Sequence, residues 1–411
     1  MRFQRCLPLV GLLLASLVTA GELTDGFQNA LQTDPAFQGA RAELEANQIS
    51  AKQAGRAYWP ELGLKFGDRT ETGGSQRTIQ IAQPLVSAER LTTLLGASSL
   101  DLKAEATLQQ RMDQLAVRYF ATVTELIRTR ESLGLNLRKK EALELQTVAA
   151  KRAFELGTGT VTDQRDTLVR LQQARAEEQG LKARRAAAER QFLAMTGQPA
   201  QPDAFVLAHK RRSLVLPNIS QLKGSLLQHN PALIAARQDE RLADLDVWRK
   251  RGAFLPQVNF IAKQTTISSG GSANYVGVSV DFPLQSSSIL AIDASKATAR
   301  KSVADARAVE QNAMLEVERL YALVESGQVE SDIRLDAIEA AQLSVEGNKQ
   351  SYKGGVRSQL DVLNSIQILF EVQDQYVTSV LSMASNLVSL HSQVGATPAT
   401  EILMLLENLL F

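Results

Sequence analysis

Two ten-residue stretches, Phe-Glu-Leu-Gly-Thr-Gly-Thr-Val-Thr-Asp at 154–163 and Tyr-Lys-Gly-Gly-Val-Arg-Ser-Gln-Leu-Asp at 352–361, share one pattern: aromatic-x-x-Gly-x-x-Ser/Thr-x-x-Asp. The chemistry available to this set is local and electrostatic. Gly157 and Gly355 suit the left-handed residue that ends a helix, and Thr160 and Ser358 each precede an acid by three residues, the spacing of a capping box. Asp163 and Asp361 then sit at helix N-termini, where a carboxylate is favoured by the helix dipole. Each stretch reads as the tight bend of a long helical hairpin.

Catalytic and metal chemistry find little support. His209, His229 and His391 are far apart, and no HExxH, GxSxG or CxxC pattern occurs. Gly157-Thr158-Gly159 follows a helix and lacks the third glycine of a dinucleotide loop. The sequence leads us to expect no enzyme activity, no metal and no cofactor. Lys plus Arg number 45 against 44 for Asp plus Glu, so there is no electrostatic case for nucleic acid. Aromatic residues make up 5% and helix formers dominate, the composition of long helices and coiled coils.

Residues 1–20 have the three parts of a secretory signal: Arg2 and Arg5, an apolar core from Leu7 to Val18, and Val18-Thr19-Ala20 as a cleavage site. Cys6, the single cysteine, lies before that core, so it is not placed for lipidation and leaves with the signal. No later run of 18 apolar residues exists. A membrane-embedded part would have to be a β-barrel.

Beyond the signal the chain alternates between two periods. Leu62, Leu64 and Phe66, then Ile79 and Ile81, alternate with Gly or polar residues around a turn patch at Thr72-Gly73-Gly74-Ser75, so a β-hairpin is expected at about 61–83. From Ser87 to Phe154 there is no proline, and Leu108, Met112, Leu115, Tyr119, Leu126, Leu133 and Leu137 form a narrow seam at coiled-coil spacing. A second helix is expected from Thr160 to Met195.

Landmarks then recur. Leu31-Gln32-Thr33-Asp34-Pro35-Ala36 matches Leu227-Gln228-His229-Asn230-Pro231-Ala232 at an offset of 196, and the bends match at 198. This implies two repeats, at 21–200 and 218–397, joined by a connector at 201–217 and followed by a tail at 398–411 for which the sequence suggests no role. The second hairpin falls at about 257–282, where the alternation returns in Val258, Phe260 and Ala262 and then in Val276, Val278, Val280 and Phe282. The connector's basic run, His209-Lys210-Arg211-Arg212, reads as solvated.

The fold class is therefore α+β: four short strands per chain, long antiparallel coiled-coil helices, and an internal two-fold repeat. Four strands cannot close a barrel, and an open edge is not tolerated in lipid, so several protomers would have to share one; three would give an even twelve. Helices with narrow seams and polar flanks suit the wall of a water-filled tube.

With these residues in place, the chain resembles the TolC family of bacterial outer-membrane efflux and secretion channels across essentially all of the mature sequence. The resemblance rests most specifically on Tyr352, Gly355, Arg357, Ser358 and Asp361, on Phe154, Gly157 and Asp163, and on Asp34-Pro35 with Asn230-Pro231. It implies a homotrimer with a shared 12-stranded outer-membrane barrel and a periplasmic helical tunnel closed at its inner end by the bends. It also implies a periplasmic adaptor and an inner-membrane pump as partners, either an ABC exporter or a proton-driven transporter, and outer-membrane lipid around the barrel.

By position, the resemblance makes Tyr352 a latch to Asp163 and Arg357 a latch to Thr162, with Asp361 ringing the constriction. One turn later, where well-known members carry a second acid, this chain has Asn364. A poreless periplasmic coiled-coil adaptor or scaffold is the rival reading; it would need a β-rich domain around a single hairpin.

Overall fold

The computed structural model describes residues 21–69, 74–201, 205–268, 270–282 and 287–411. The signal segment with Cys6, and Thr72 and Gly73 of the first turn patch, lie outside the described residues. The elements follow in the order α1 (Glu22–Thr33), α2 (Pro35–Gly55), β1 (Glu61–Arg69), β2 (Gly74–Val86), α3 (Ala88–Glu155) and α4 (Val161–Thr196). The second half supplies α5 (Ile219–His229), α6 (Pro231–Arg251), β3 (Gln257–Ile267), β4 (Ser272–Asp281), α7 (Ser287–Lys353) and α8 (Gln359–Val394), and α9 (Ala399–Leu410) ends the chain. The helices α2 and α6 have 21 residues each, and α4 and α8 have 36 each. With 68 residues at 1.5 Å rise, α3 alone is a rod about 100 Å long.

Local chemistry sets these boundaries. Asp34 and Asn230 occupy N-cap positions with the same backbone angles, φ −61° and ψ 118°, each followed by a proline at the first helical position. Their side chains accept hydrogen bonds from the backbone N–H groups of Phe37 and Leu233, both at 2.8 Å. Ser87 caps α3 by accepting from the N–H of Arg90.

The four strands form one antiparallel sheet in the order β1-β2-β3-β4. The register places Leu62, Ile81, Ala262 and Val276 in one row, and Gly63, Gln80, Lys263 and Tyr275 in the next. One face is therefore apolar and the other mostly polar, the alternation a barrel wall needs. The apolar face is bare: Leu62 is 68% exposed, Phe66 73% and Val276 69%. β2 runs through Pro84 to Val86, past the expected hairpin bound at about 83, because the pairing with β3 shifts between Pro84 and Val86; a bulge accommodates a residue without an N–H.

The main core forms a belt midway along the long helices. Leu115, Tyr119, Phe120 and Val123 of α3 meet the ends of α4 and α8 and the short helices α1, α5 and α9 there. A chain of rings crosses the belt from Phe27 to Tyr119, Phe192, Phe205 and Phe411, with centroid separations of 5.7, 6.0, 6.1 and 5.9 Å. The tail thus has a structural role. α9 buries Ile402, Leu403, Leu406 and Leu410, and the N–H of Ala208 in the connector donates to the carbonyl of Leu410 at 2.9 Å.

The basic run of the connector is only partly solvated. His209, Lys210 and Arg211 are exposed, but Arg212 is buried, donating to the carbonyls of Leu409 (3.0 Å), Lys210 (3.0 Å) and Ala208 (2.5 Å) and to the Tyr376 hydroxyl (2.8 Å). A guanidinium offers five donors, which lets one side chain stitch the connector to α8 and α9.

Two outcomes follow from the packing. Gly395 has φ +71°, and a Cβ there would lie 2.6 Å from the carbonyl of His229, whereas Gly157 has φ +74° in open space. Gly395→Ala should therefore cost on the order of 2 kcal/mol or more and Gly157→Ala about 1 kcal/mol, read as loss of thermal stability in detergent.

Asp113 of α3 is buried; its Oδ1 accepts from Gln109 at 3.0 Å, while Oδ2 has no partner. Burial pushes its carboxyl up to about 6, with the Gln109 bond pulling slightly back. An acid raised in the fold weakens stability once it ionises, so the penalty is absent below about pH 4 and complete above about pH 6. Asp113→Asn should leave the melting point unchanged at pH 4 and raise stability by on the order of 1–3 kcal/mol at pH 7.5.

Candidate functional site

The bends form the end of the molecule remote from the sheet, where α3 turns into α4 and α7 into α8. In the first, Gly157 N–H donates to the Phe154 carbonyl at 3.0 Å and Thr158 N–H to the Ala153 carbonyl at 2.9 Å. In the second, Gly355 N–H donates to the Tyr352 carbonyl at 3.0 Å and Val356 N–H to the Ser351 carbonyl at 2.9 Å. Both glycines have φ +74°. The left-handed residue turns the chain out of one helix and satisfies its last carbonyls.

The next helices start on reciprocal caps. Asp163 N–H donates to Thr160 Oγ1 at 3.1 Å, and Asp163 Oδ2 accepts from Thr160 N–H at 3.1 Å and from its hydroxyl at 2.7 Å. At the second bend the matching distances are 3.2 Å from Asp361 N–H to Ser358 Oγ, and 3.0 and 2.8 Å to Asp361 Oδ2. These bonds from the Ser358 backbone and hydroxyl, aided by Arg357, hold the Asp361 carboxyl below its ordinary range, so it is ionised at neutral pH. Arg357 Nη1 stands 4.0 Å from Asp361 Oδ1.

The structure brings together Ser358, Asp361 and Arg357, and separately Thr160 and Asp163. It does not join Tyr352 to Asp163 or Arg357 to Thr162 within one chain. Tyr352 packs beside Val345, Val362 and Ile366, and its side chain makes no hydrogen bond among the described residues. Asn364 is engaged by a residue the sequence did not single out: Arg170 of α4 donates through Nη2 to Asn364 Oδ1 and through Nη1 to Gln367 Oε1, both at 2.8 Å.

Further polar links tie α3 to α8. Ser132 donates to Asp374 at 2.6 Å, and Gln359 Nε2 donates to Gln146 Oε1 at 2.8 Å. None carries a short-range signal, because the partners lie roughly 200 residues apart. The apolar contacts here are sparse: one cluster of Leu143, Leu171, Ala174 and Leu363, and another of Val345, Val362 and Ile366.

The outer flanks of the long helices carry unpartnered apolar residues. Leu315, Val329 and Leu343 recur every 14 residues on α7 and are 62%, 57% and 70% exposed. The repeat of two heptads is the spacing of a coiled-coil seam. Among the described residues no helix is long and apolar enough to cross a membrane.

Comparison with known proteins finds matches along most of the chain. Residues 222–396 match the outer membrane efflux protein family. The chain is similar to the alkaline protease secretion protein AprF of Pseudomonas aeruginosa, 25% identical over 395 residues that cover 89% of this chain and 82% of the relative. It is also similar to the proteases secretion protein PrtF of Dickeya chrysanthemi, 24% identical over 415 residues, covering 90% and 89%. The fold matches the outer membrane protein VceC of Vibrio cholerae with a TM-score of 0.78 at 18% identity, over 91% of this chain and 96% of that one.

The caps give this end of the molecule its own test. Ser358→Ala removes the hydroxyl that Asp361 N–H donates to, and should loosen the second bend by about 1 kcal/mol. Limited proteolysis should show faster cleavage near 352–358 in this variant while the first bend keeps its wild-type rate.

Proposed function

We propose that the chain is an outer-membrane channel protein of TolC type that serves as the exit duct of a tripartite efflux or type I secretion system. The observation that carries this reading is the sheet: four antiparallel strands with one bare apolar face and two unpaired edges, mounted on helices about 100 Å long. An adaptor built around a single hairpin has no use for a second strand pair. Solutes or unfolded proteins pass through passively, with energy supplied by an inner-membrane pump through a periplasmic adaptor. The likeness to two protease secretion proteins favours a polypeptide cargo.

Three copies would complete the assembly. Their sheets would close a 12-stranded barrel, and the exposed seams on α7 would be covered by neighbouring protomers. Asp361 would then ring the narrow end of the tunnel. Tyr352 and Arg357, without cross-hairpin partners in their own chain, would reach Asp163 and Thr162 of the adjoining hairpins and hold the entrance shut. The division into two repeats, connector and tail belongs to the same reading, since each repeat supplies one strand pair and one helical hairpin.

Extraction of the protein from outer membranes as a heat-sensitive trimer would support the assembly; a water-soluble monomer would sink it. Tyr352→Phe combined with Arg357→Ser should raise single-channel conductance severalfold in planar bilayers. Unchanged conductance would remove the latch while leaving the channel reading in place.

A further inference from the structure

We infer that Arg170 is the residue that sets both the width and the charge of the entrance one helical turn inside Asp361. The inference rests on the channel reading above and adds a residue that the latch does not contain.

Asn364 and Gln367 are three residues apart on α8 and so share one face of it. The planar fork of Arg170 spans both, one Nη to each amide oxygen at 2.8 Å. A bidentate grip of this kind fixes direction as well as distance. It joins the return helix of the first hairpin to the return helix of the second, close to the bends, where apolar contacts are few. The other hydrogen bonds between the two hairpins near this end run from α3 rather than from α4.

The acceptors are neutral, and this decides the charge. Among the described residues no carboxylate pairs with Arg170: Asp163 and Asp361 serve as caps, and Glu144 pairs with Arg175. The guanidinium therefore keeps its full positive charge. Asn364 lies three residues beyond Asp361, about 4.5 Å further along the helix axis. In a threefold assembly the Asp361 carboxylates would be followed by three guanidinium groups, which offset the attraction for cations that the acids alone would produce. A carboxylate at 364 would have neutralised the arginine and left the entrance acidic; the amide accepts the same hydrogen bond without cancelling the charge.

Two substitutions separate the roles. Arg170→Gln removes charge and fork, whereas Arg170→Lys keeps the charge but offers a point donor that cannot hold two oxygens on one plane. With full-length protein in planar bilayers, the reversal potential in a KCl gradient gives the cation-to-anion permeability ratio. This ratio should rise at least about twofold for Arg170→Gln and stay at the wild-type value for Arg170→Lys. Single-channel conductance should rise for both, and Asn364→Leu combined with Gln367→Leu should raise it as well, with Arg170 intact. Each variant is first checked for the heat-sensitive trimer of the wild type. A wild-type channel whose conductance and selectivity are unchanged by Arg170→Gln overturns the inference alone. A wild-type protein that forms no channel overturns the inference and the channel reading together.

Discussion

A β-strand edge in hydrocarbon leaves its N–H and C=O groups without partners, and each such group costs several kcal/mol. This constraint governs the molecule. Strands β1 and β4 each present one unpaired edge, and the sheet carries an apolar face with nothing over it. The same chain places a wide apolar belt elsewhere, around Tyr119, Phe120 and Tyr376, and that belt is closed by the chain's own α1, α5 and α9. The sheet's bareness is thus local to one part of a chain whose middle is closely packed. The chain satisfies its own middle but leaves its sheet edges and the apolar flanks of its long helices bare.

The belt also divides the long helices mechanically. Above it, α2 and α6 pack against α3 and α7 and lead directly into the strands; below it, each hairpin runs to its bend with a few apolar contacts and a set of polar bonds. Segments held by few buried contacts open at lower free energy than the core they extend from. The end that carries Asp361 and Arg170 is therefore a cheaper place for movement than the belt.

Much of this was legible in the sequence. The change from a two-residue to a heptad period located the strands and the long helices, and Gly157, Thr160, Gly355 and Ser358 marked the bends because left-handed glycines and capping hydroxyls act over three or four residues. Strand β2 beyond Pro84 was not legible, since a bulge depends on the pairing with β3. The burial of Arg212 was hidden because its acceptors come from the connector and from the last turn of α9. Composition saw a basic run; only the fold shows which of its members is enclosed. The grip of Arg170 was invisible for the same reason, as its two acceptors lie 194 and 197 residues away.

The two bends differ in what they leave unmet, and that difference orders their roles. Asp163 and Asp361 both serve as caps through one oxygen, Oδ2, while Oδ1 of Asp361 stands 4.0 Å from Arg357 Nη1. Only the second bend adds an arginine beside its acid and a tyrosine whose hydroxyl is unbonded. The first bend has Phe154 in the place of that tyrosine and Thr158, in register, where its partner has Val356. The α7–α8 hairpin therefore carries an arginine paired with its own acid and a tyrosine hydroxyl with no hydrogen bond among the described residues, while the α3–α4 hairpin has neither side chain at the matching places. The two bends share glycine, hydroxyl and acid at matching places, yet they differ in the side chains set around those three groups.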